Sequence, residues 1–341
     1  MKIMVTGGAG YVGGTVAALL VEQGHQVVVV DNLCHARREG VLSGVQFVEA
    51  DVADRAVIEG LFRSATAENA SFDGVLHFAA LIEAGESMQK PEIYFRNNTS
   101  STLALLESIL ACGPKRFVFS STAAVYGEPE TVPIPETAAL RPTNPYGESK
   151  LLVEYMLAWF HKIHGLRSAS LRYFNVAGAP EVGGHGTGII HSGEAHEPES
   201  HIIPLVLDVA LGRRQSIKIF GDDYPTSDGT CVRDYIHVAD LADAHLLALQ
   251  ALESPRAAEQ RLIYNLGNGA GFTVKQVIEA ARQVTGHPIP AEIHPRRAGD
   301  PAFLIASSQK AIAELNWKPN YPEINDILRT AWLWHQKRYS K

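Results

Sequence analysis

Three cysteines in 341 residues, Cys34, Cys112 and Cys231, are too few and too widely spaced for a disulfide framework or a zinc ribbon. No apolar run approaches the length of about 18 residues that a membrane span requires, so no membrane partner is expected. Basic residues are outnumbered by acidic ones, 30 to 37, and the formal charge is −7. With no basic arm and no aromatic-basic stripe, nucleic-acid binding is not expected. The first apolar run, Lys2-Ile-Met-Val-Thr6, is too short for a secretion signal and continues into a glycine turn. A soluble, cytoplasmic protein is expected. Internal repeats and low-complexity tracts are also missing.

What is present is ordinary globular composition, 46% apolar and 20% charged, in a chain long enough for two domains. Short runs rich in Val, Ile and Phe alternate with helical patterns. Strands are expected at 3–6, 26–30, 45–49, 74–78, 116–120 and 167–174, and helices at 11–23, 54–67, 91–112 and 145–164. This alternation predicts an α/β fold with a doubly wound parallel sheet, Rossmann-like. The texture changes after Asn175. Residues 177–200 are rich in Gly, Pro, His and Glu and read as loops, followed by a helix at 202–211 and a strand at 216–220. A buried strand at 263–266 could rejoin the sheet, and two or three helices follow Thr273. The expected organisation is a nucleotide domain over 1–175, with 233–267 partly returning to it. A smaller, discontinuous α/β substrate domain is expected over 176–232 and 268–341, at the carboxyl edge of the sheet where such folds bind ligands.

The turn Thr6-Gly-Gly-Ala-Gly-Tyr-Val-Gly13 satisfies GxGxxG at Gly8, Gly10 and Gly13. It follows a strand, opens a helix and is trailed by Asp31 at the end of the next strand. Glycines there let the backbone approach a pyrophosphate, and the Asp accepts the ribose 2′-hydroxyl. Asp31 would repel a 2′-phosphate, so NAD is favoured over NADP.

Tyr146 and Lys150, in Pro145-Tyr-Gly-Glu-Ser-Lys150, stand four residues apart on an expected helix and share a face. A cation beside a phenol favours the phenolate. Next to a nicotinamide, such a pair can take a proton from an alcohol while its hydride leaves.

With Ser120-Ser-Thr122 added, the chain resembles the extended short-chain dehydrogenase/reductase superfamily. Asp31-Asn-Leu33, His77-Phe-Ala-Ala80, Val125-Tyr-Gly127, Leu171-Arg-Tyr-Phe-Asn175, Phe220-Gly-Asp-Asp-Tyr-Pro-Thr226, Val232-Arg-Asp-Tyr-Ile-His237 and Arg296-Arg-Ala-Gly-Asp300 narrow this to the UDP-glucose 4-epimerase family. The resemblance covers nearly the whole chain. It implies interconversion of UDP-glucose and UDP-galactose through NAD-mediated oxidation and re-reduction at sugar C4. It implies NAD contacts from Gly7, Gly10, Tyr11, Val12, Asp31, Asn32, Asp51, Val52, Phe78, Ala79, Ala80, Asn97, Tyr146, Lys150 and Tyr173. Tyr146 would be the base, Lys150 would bind the nicotinamide ribose and hold down the tyrosine pKa, and Thr122 stands where the family has a catalytic Ser or Thr. Asn175, Phe220, Arg233, Arg297 and Asp300 would hold the uridine diphosphate, with His201 near the nucleotide. The family also implies a homodimer pairing the helices 91–112 and 145–164.

Two departures matter. Ile82 and Glu83 stand where some members have a lysine, which implies one cofactor contact fewer. Leu304 stands where some members have a tyrosine beside the sugar 2-substituent, so action on N-acetylated sugars is an alternative. A 4,6-dehydratase would share the first step, but it needs acid/base groups where Ala123 and Ala124 follow Thr122. A non-catalytic NAD-binding regulator on the same fold is the remaining alternative, which the complete Thr122, Tyr146 and Lys150 set disfavours. His185, His191, His196 and His201 lie in the predicted loop with no i,i+4 pair and no C-x-x-C companion, so no metal is expected.

Overall fold

The structure is a computed structural model describing residues 1–190, 192–196, 198–297 and 300–340. His191 lies outside the described residues. Seven strands pair in one sheet in the spatial order Leu262–Leu266, Arg167–Tyr173, Arg116–Thr122, Gly74–His77, Lys2–Thr6, Gln26–Asp31 and Gln46–Glu49. Every pairing is parallel. Their apolar runs are continuous because helices cover both faces. On one face Val16 and Leu20 of the helix Tyr11–Glu22 pack with Leu241, Leu246 and Leu249 of the helix Val238–Ala251. On the other, Ile58 and Phe62 of Arg55–Ala67 pack with Leu105, Leu106 and Ile109 of Ser101–Cys112 and with Val153 and Leu157 of Pro145–His164.

A separate core joins the helices Ile202–Ala210, Val274–Thr285 and Ile324–Tyr339. Among the described residues, four strand pairings in three small sheets lie outside the main sheet. Val232–Arg233 bonds both Phe272–Thr273 and Phe303–Leu304, Ala291–His294 bonds Ile217–Phe220, and Tyr235–His237 bonds Asn175–Ala177. Their pairings are set by residues far apart in the chain, and none but Ile217–Phe220 is expected from local pattern.

Two expectations need correction. The single helix expected over 91–112 is broken into Pro91–Tyr94, a π-helical turn at Phe95–Ser100, and Ser101–Cys112. The turn carries Asn97 and Asn98. Asn98 bonds both the amide and the carbonyl of Leu81 (2.8 and 3.0 Å) and Ser149 Oγ (3.0 Å), so the irregularity serves a long-range polar tie. The helix Val238–Ala251 was not expected, although Val238, Leu241, Ala242, His245, Leu246 and Leu249 recur at helical spacing. Its start is marked by His237, whose ring accepts from the Ala239 amide at 3.1 Å, and His is not one of the usual cap residues.

Between the Arg116–Thr122 strand and the helix Pro145–His164 lies a fully buried charge pair. Arg172 reaches Glu154 through two bonds of 2.9 and 2.5 Å, with both side chains at most 3% exposed. Glu154 also accepts from Ser121 Oγ at 2.6 Å. Arg172 donates to Tyr126 Oη at 2.9 Å, and Tyr126 donates to Asn265 at 2.6 Å. One network therefore pins three strands to the helix that carries Tyr146.

Candidate active site

The first strand ends in the glycine turn. Gly7 has φ +71°, and a Cβ there would stand 2.5 Å from the Ala79 amide nitrogen. A Cβ on Gly13 would stand 2.4 Å from the Gly7 carbonyl oxygen. Side chains at these two points would close the turn, so the glycines let the backbone of 7–13 and that of 78–80 meet. Asp31 fixes the turn from the neighbouring strand: Oδ2 accepts from the Ala9 amide at 3.0 Å and Oδ1 from the Leu33 amide at 2.9 Å.

Above the turn opens a cleft of about 420 Å³. Its lining includes Gly7, Gly10, Tyr11, Val12, Asp31, Asn32, Asp51, Val52, Phe78, Ala79, Ala80, Asn97 and Tyr173. A glycine floor at a helix N-terminus with a carboxylate at the far strand suits a pyrophosphate and a ribose diol. NAD therefore fits the residues present. Cys34, His35, Glu86, Tyr94, His196 and Pro198 also line the cleft and were not expected. Cys34, His35, His196 and Pro198 come from loops whose path local pattern does not reveal, and Glu86 and Tyr94 from the short helices Ala84–Ser87 and Pro91–Tyr94. Ile82 and Glu83 are on the wall too, and Glu83 is tied to Ser200 Oγ at 2.8 Å.

Tyr146 opens the helix Pro145–His164, whose N-cap Asn144 accepts from the Gly147 amide at 2.8 Å. Thr122 ends its strand and accepts from the Ala124 amide at 3.1 Å. Burial pushes the Tyr146 phenol above its usual pKa, a bond with Thr122 pulls it down, and the Glu83 charge pushes it up. Lys150, buried one turn along, donates to the Ser120 carbonyl at 3.0 Å and lies over the Phe119 ring. The expected hold of Lys150 on the tyrosine is not among these influences. The ammonium gives one of its three donors to Ser120, and burial has itself pushed Lys150 down to about 7. Burial first, then the nearby Tyr146, also raises Tyr173, which lines the cleft. His77, between Thr6 Oγ1 (2.7 Å) and Thr102 Oγ1 (2.8 Å), is held neutral by burial and then by Lys150, at about 3.

The lysine gives a pH test. Below about 7 both folded and unfolded chains carry its proton, and the cost of burying the charge is full. Between 7 and the ordinary value of 10.5 only the unfolded chain holds it, so stability rises with pH; above 10.5 the cost is gone. Nucleotide-free wild type compared with Lys150→Met by denaturant unfolding is expected to gain steadily on the variant from pH 7 to 10. A difference that does not change with pH removes the depressed lysine.

The residues expected around the diphosphate fall into two groups. Arg233 pairs with Asp300 and donates to the Val232 carbonyl at 2.8 Å, while Leu304 stands opposite Arg233 in the strand register. Leu304 also packs against the cluster containing Ala123, Val125 and Phe174, next to Thr122. Arg297 stacks on Phe220 at 4.0 Å from the ring centre. Asn175 starts its strand with its amide on the Asp234 carbonyl at 3.1 Å. His201, expected near the nucleotide, does not line the cleft. Its Nδ1 lies 2.9 Å from Glu194 and 2.9 Å from Glu199, which hold the ring by charge and hydrogen bonding. His196 takes the place on the wall.

Tyr146, Lys150 and Thr122 are not among the residues that line the cleft, and fold and cleft together define a dinucleotide-binding protein. The model of the NAD-dependent epimerase/dehydratase family matches residues 3–267, and the chain belongs to that family, with NAD as its cofactor. It is 53% identical to a UDP-glucose 4-epimerase of Streptomyces lividans over 98% of this chain and 96% of that one. Among solved structures, a crystal structure of UDP-glucose 4-epimerase superposes with a TM-score of 0.91 at 48% identity, covering 100% of both chains. A UDP-glucose 4-epimerase from Stenotrophomonas maltophila, with bound NAD and formylated UDP-arabinopyranose, superposes at 0.90 with 41% identity over 99% and 98%.

Proposed function

We propose that this chain interconverts UDP-glucose and UDP-galactose at sugar C4. The observation that carries the reading is that Tyr146 bonds Thr122 and is within electrostatic reach of two residues of the cleft wall, Glu83 and Tyr173. Bound NAD would supply the hydride acceptor and donor for C4, held by the residues of the glycine turn and the cleft. Tyr146 takes the 4-hydroxyl proton and gives it back, with Thr122 orienting the hydroxyl and Lys150 holding the ribose. Arg233, Arg297, Asn175, Phe220 and Asp300 hold the diphosphate and uracil, so the keto sugar can turn without leaving. Arginine suits this because its fork binds oxygens in pairs. Dehydration is disfavoured because Ala123 and Ala124 have no proton to exchange. Purified protein given UDP-galactose is expected to form UDP-glucose; a product lighter by one water would replace this reading with dehydration.

We assign nucleotide binding to 1–175 with 233–267, and sugar binding to 176–232 and 268–341. Two separate cores support this division in the main, although Ala311, Leu315 and Trp317 pack into the first core and Tyr235 into the second. No helix among the described residues is long and apolar enough to cross a membrane, and we place the enzyme in the cytoplasm.

Leu304 sets the breadth of substrate. A tyrosine there would fill space that an acetamide at the sugar 2-position needs, whereas leucine leaves more room. UDP-galactose is expected to be the better substrate, with weak turnover of UDP-GalNAc. Leu304→Tyr is expected to lower kcat/KM for the N-acetyl sugar by about tenfold or more relative to UDP-galactose, a difference of about 1.4 kcal/mol. Equal losses on both sugars would remove Leu304 from the sugar wall.

A homodimer is the proposed assembly. Leu103 and Leu110 on one helix and Tyr155, Trp159 and Ile163 on its neighbour are exposed, Trp159 and Ile163 by 61% and 63%. Two such helices from each copy would bury this apolar face in a symmetric bundle. Sedimentation equilibrium is expected to give twice the chain mass; a monomer at micromolar concentration would overturn it.

A further inference from the structure

Away from the tyrosine and lysine, four possible metal donors come from one eight-residue segment in the spacing Glu-x-His-x-x-Glu-x-His. One ligand atom from each of Glu194, His196, Glu199 and His201 lies within 4.8 Å of all the others. The imidazole Nδ1 atoms of His196 and His201 both point at one oxygen, Glu194 Oε1, at 3.2 and 2.9 Å. His201 Nδ1 is also 2.9 Å from Glu199 Oε1. A single N–H cannot aim well at two carboxylates, and a single oxygen must serve two rings. Glu194 is 93% removed from solvent, so its charge needs compensation at that point.

We propose that Glu194, His196, Glu199 and His201 form a structural zinc site. Around a tetrahedral ion bound at about 2.0–2.1 Å, donor atoms stand roughly 3.4 Å apart. Three of the six separations, 2.9–3.2 Å, lie just inside that edge and the others reach up to 4.8 Å, so the ion would open the first and draw in the rest. Two imidazoles and two carboxylates form a nitrogen-oxygen set of the kind zinc takes, and the ion's two charges cancel those of the carboxylates. Magnesium and calcium favour all-oxygen shells. Four protein donors close the coordination, which makes the site structural rather than catalytic.

Its position gives the ion a task. The Glu194 carbonyl accepts from Trp334 Nε1 at 2.8 Å on the last helix. His201 is the cap of the helix Ile202–Ala210, and His196 and Pro198 form part of the cofactor cleft. Zinc would lock this segment in place as one wall of the cleft. The sequence spacing argues against a metal because the loop histidines form no i,i+4 pair and have no C-x-x-C companion. The loop's own path brings the donors together instead.

The test uses the full, untagged chain. Protein stripped with a chelator and titrated with zinc chloride is expected to take up one zinc per chain. X-ray absorption of the wild type is expected to show only nitrogen and oxygen neighbours near about 2.0–2.1 Å; a sulfur shell near about 2.3 Å would move the metal to a cysteine and overturn the site. Loss of outer partners typically weakens metal sites 10–100-fold. Removal of a donor in Glu194→Gln or His196→Ala is therefore expected to weaken zinc by at least about 100-fold, with His287→Ala unchanged. Uptake below about 0.1 equivalent by the wild type at micromolar zinc, or equally tight binding in both donor variants, would refute the proposal.

Discussion

Tyr146→Phe is expected to lower kcat by about 10²–10⁴-fold while leaving NAD bound, because the ring stays and only the proton-exchanging hydroxyl is lost. The side chain opens a helix whose first turn is fixed by Asn144 and whose second carries buried Lys150. A change confined to one hydroxyl should therefore not move the cleft. In the free chain the phenol is raised by burial, so near neutrality it holds its proton and can donate one in the return step. The forward step needs the phenol to ionise in the complex, and kcat against pH is the measurement that reports the bound state. Bound nucleotide, released by denaturation and measured by absorbance, separates chemical loss from loss of cofactor. An unchanged kcat would remove Tyr146 from the reaction.

Breaking the buried pair behind the site is expected to have the largest effect on stability. Glu154→Gln leaves Arg172 charged, buried and missing its fork partner. Removing one member of such a pair costs about 3–5 kcal/mol. Against a usual stability of about 5–15 kcal/mol, that is a large share. The denaturation midpoint should fall accordingly, with activity at low temperature far less affected. Replacing both members, as in Glu154→Leu with Arg172→Met, is expected to cost less than the single change, because no lone charge remains. A single variant as stable as wild type would show that water or another anion reaches Arg172.

The parts legible in the sequence are those in which local pattern and chemistry agree. The strand, the Gly7–Gly13 turn, the helix after it and Asp31 form one continuous stretch, and the same stretch forms the cleft floor. Tyr146 and Lys150 were visible because helical spacing alone puts them on one face. The Glu154–Arg172 pair was hidden, since 18 residues and a strand pairing separate its members. The cluster of Glu194, His196, Glu199 and His201 was hidden for another reason: these residues lie outside helices and strands, where no period relates one side chain to the next. Spacing places Lys150 near Tyr146, while only packing shows that its ammonium also bonds the Ser120 carbonyl.

The edge strand Leu262–Leu266 reaches the sheet about 90 residues after its neighbour Arg167–Tyr173 has been made. During synthesis the neighbour's open edge waits for it. At about 5–20 residues per second that interval is on the order of ten seconds. Throughout it, a row of unpaired amides and carbonyls is available to any other nascent chain. Fragments ending before residue 262 should therefore be prone to self-association even though the nucleotide turn and the tyrosine helix are complete. The full chain escapes this once its late strand has been released and closes the edge.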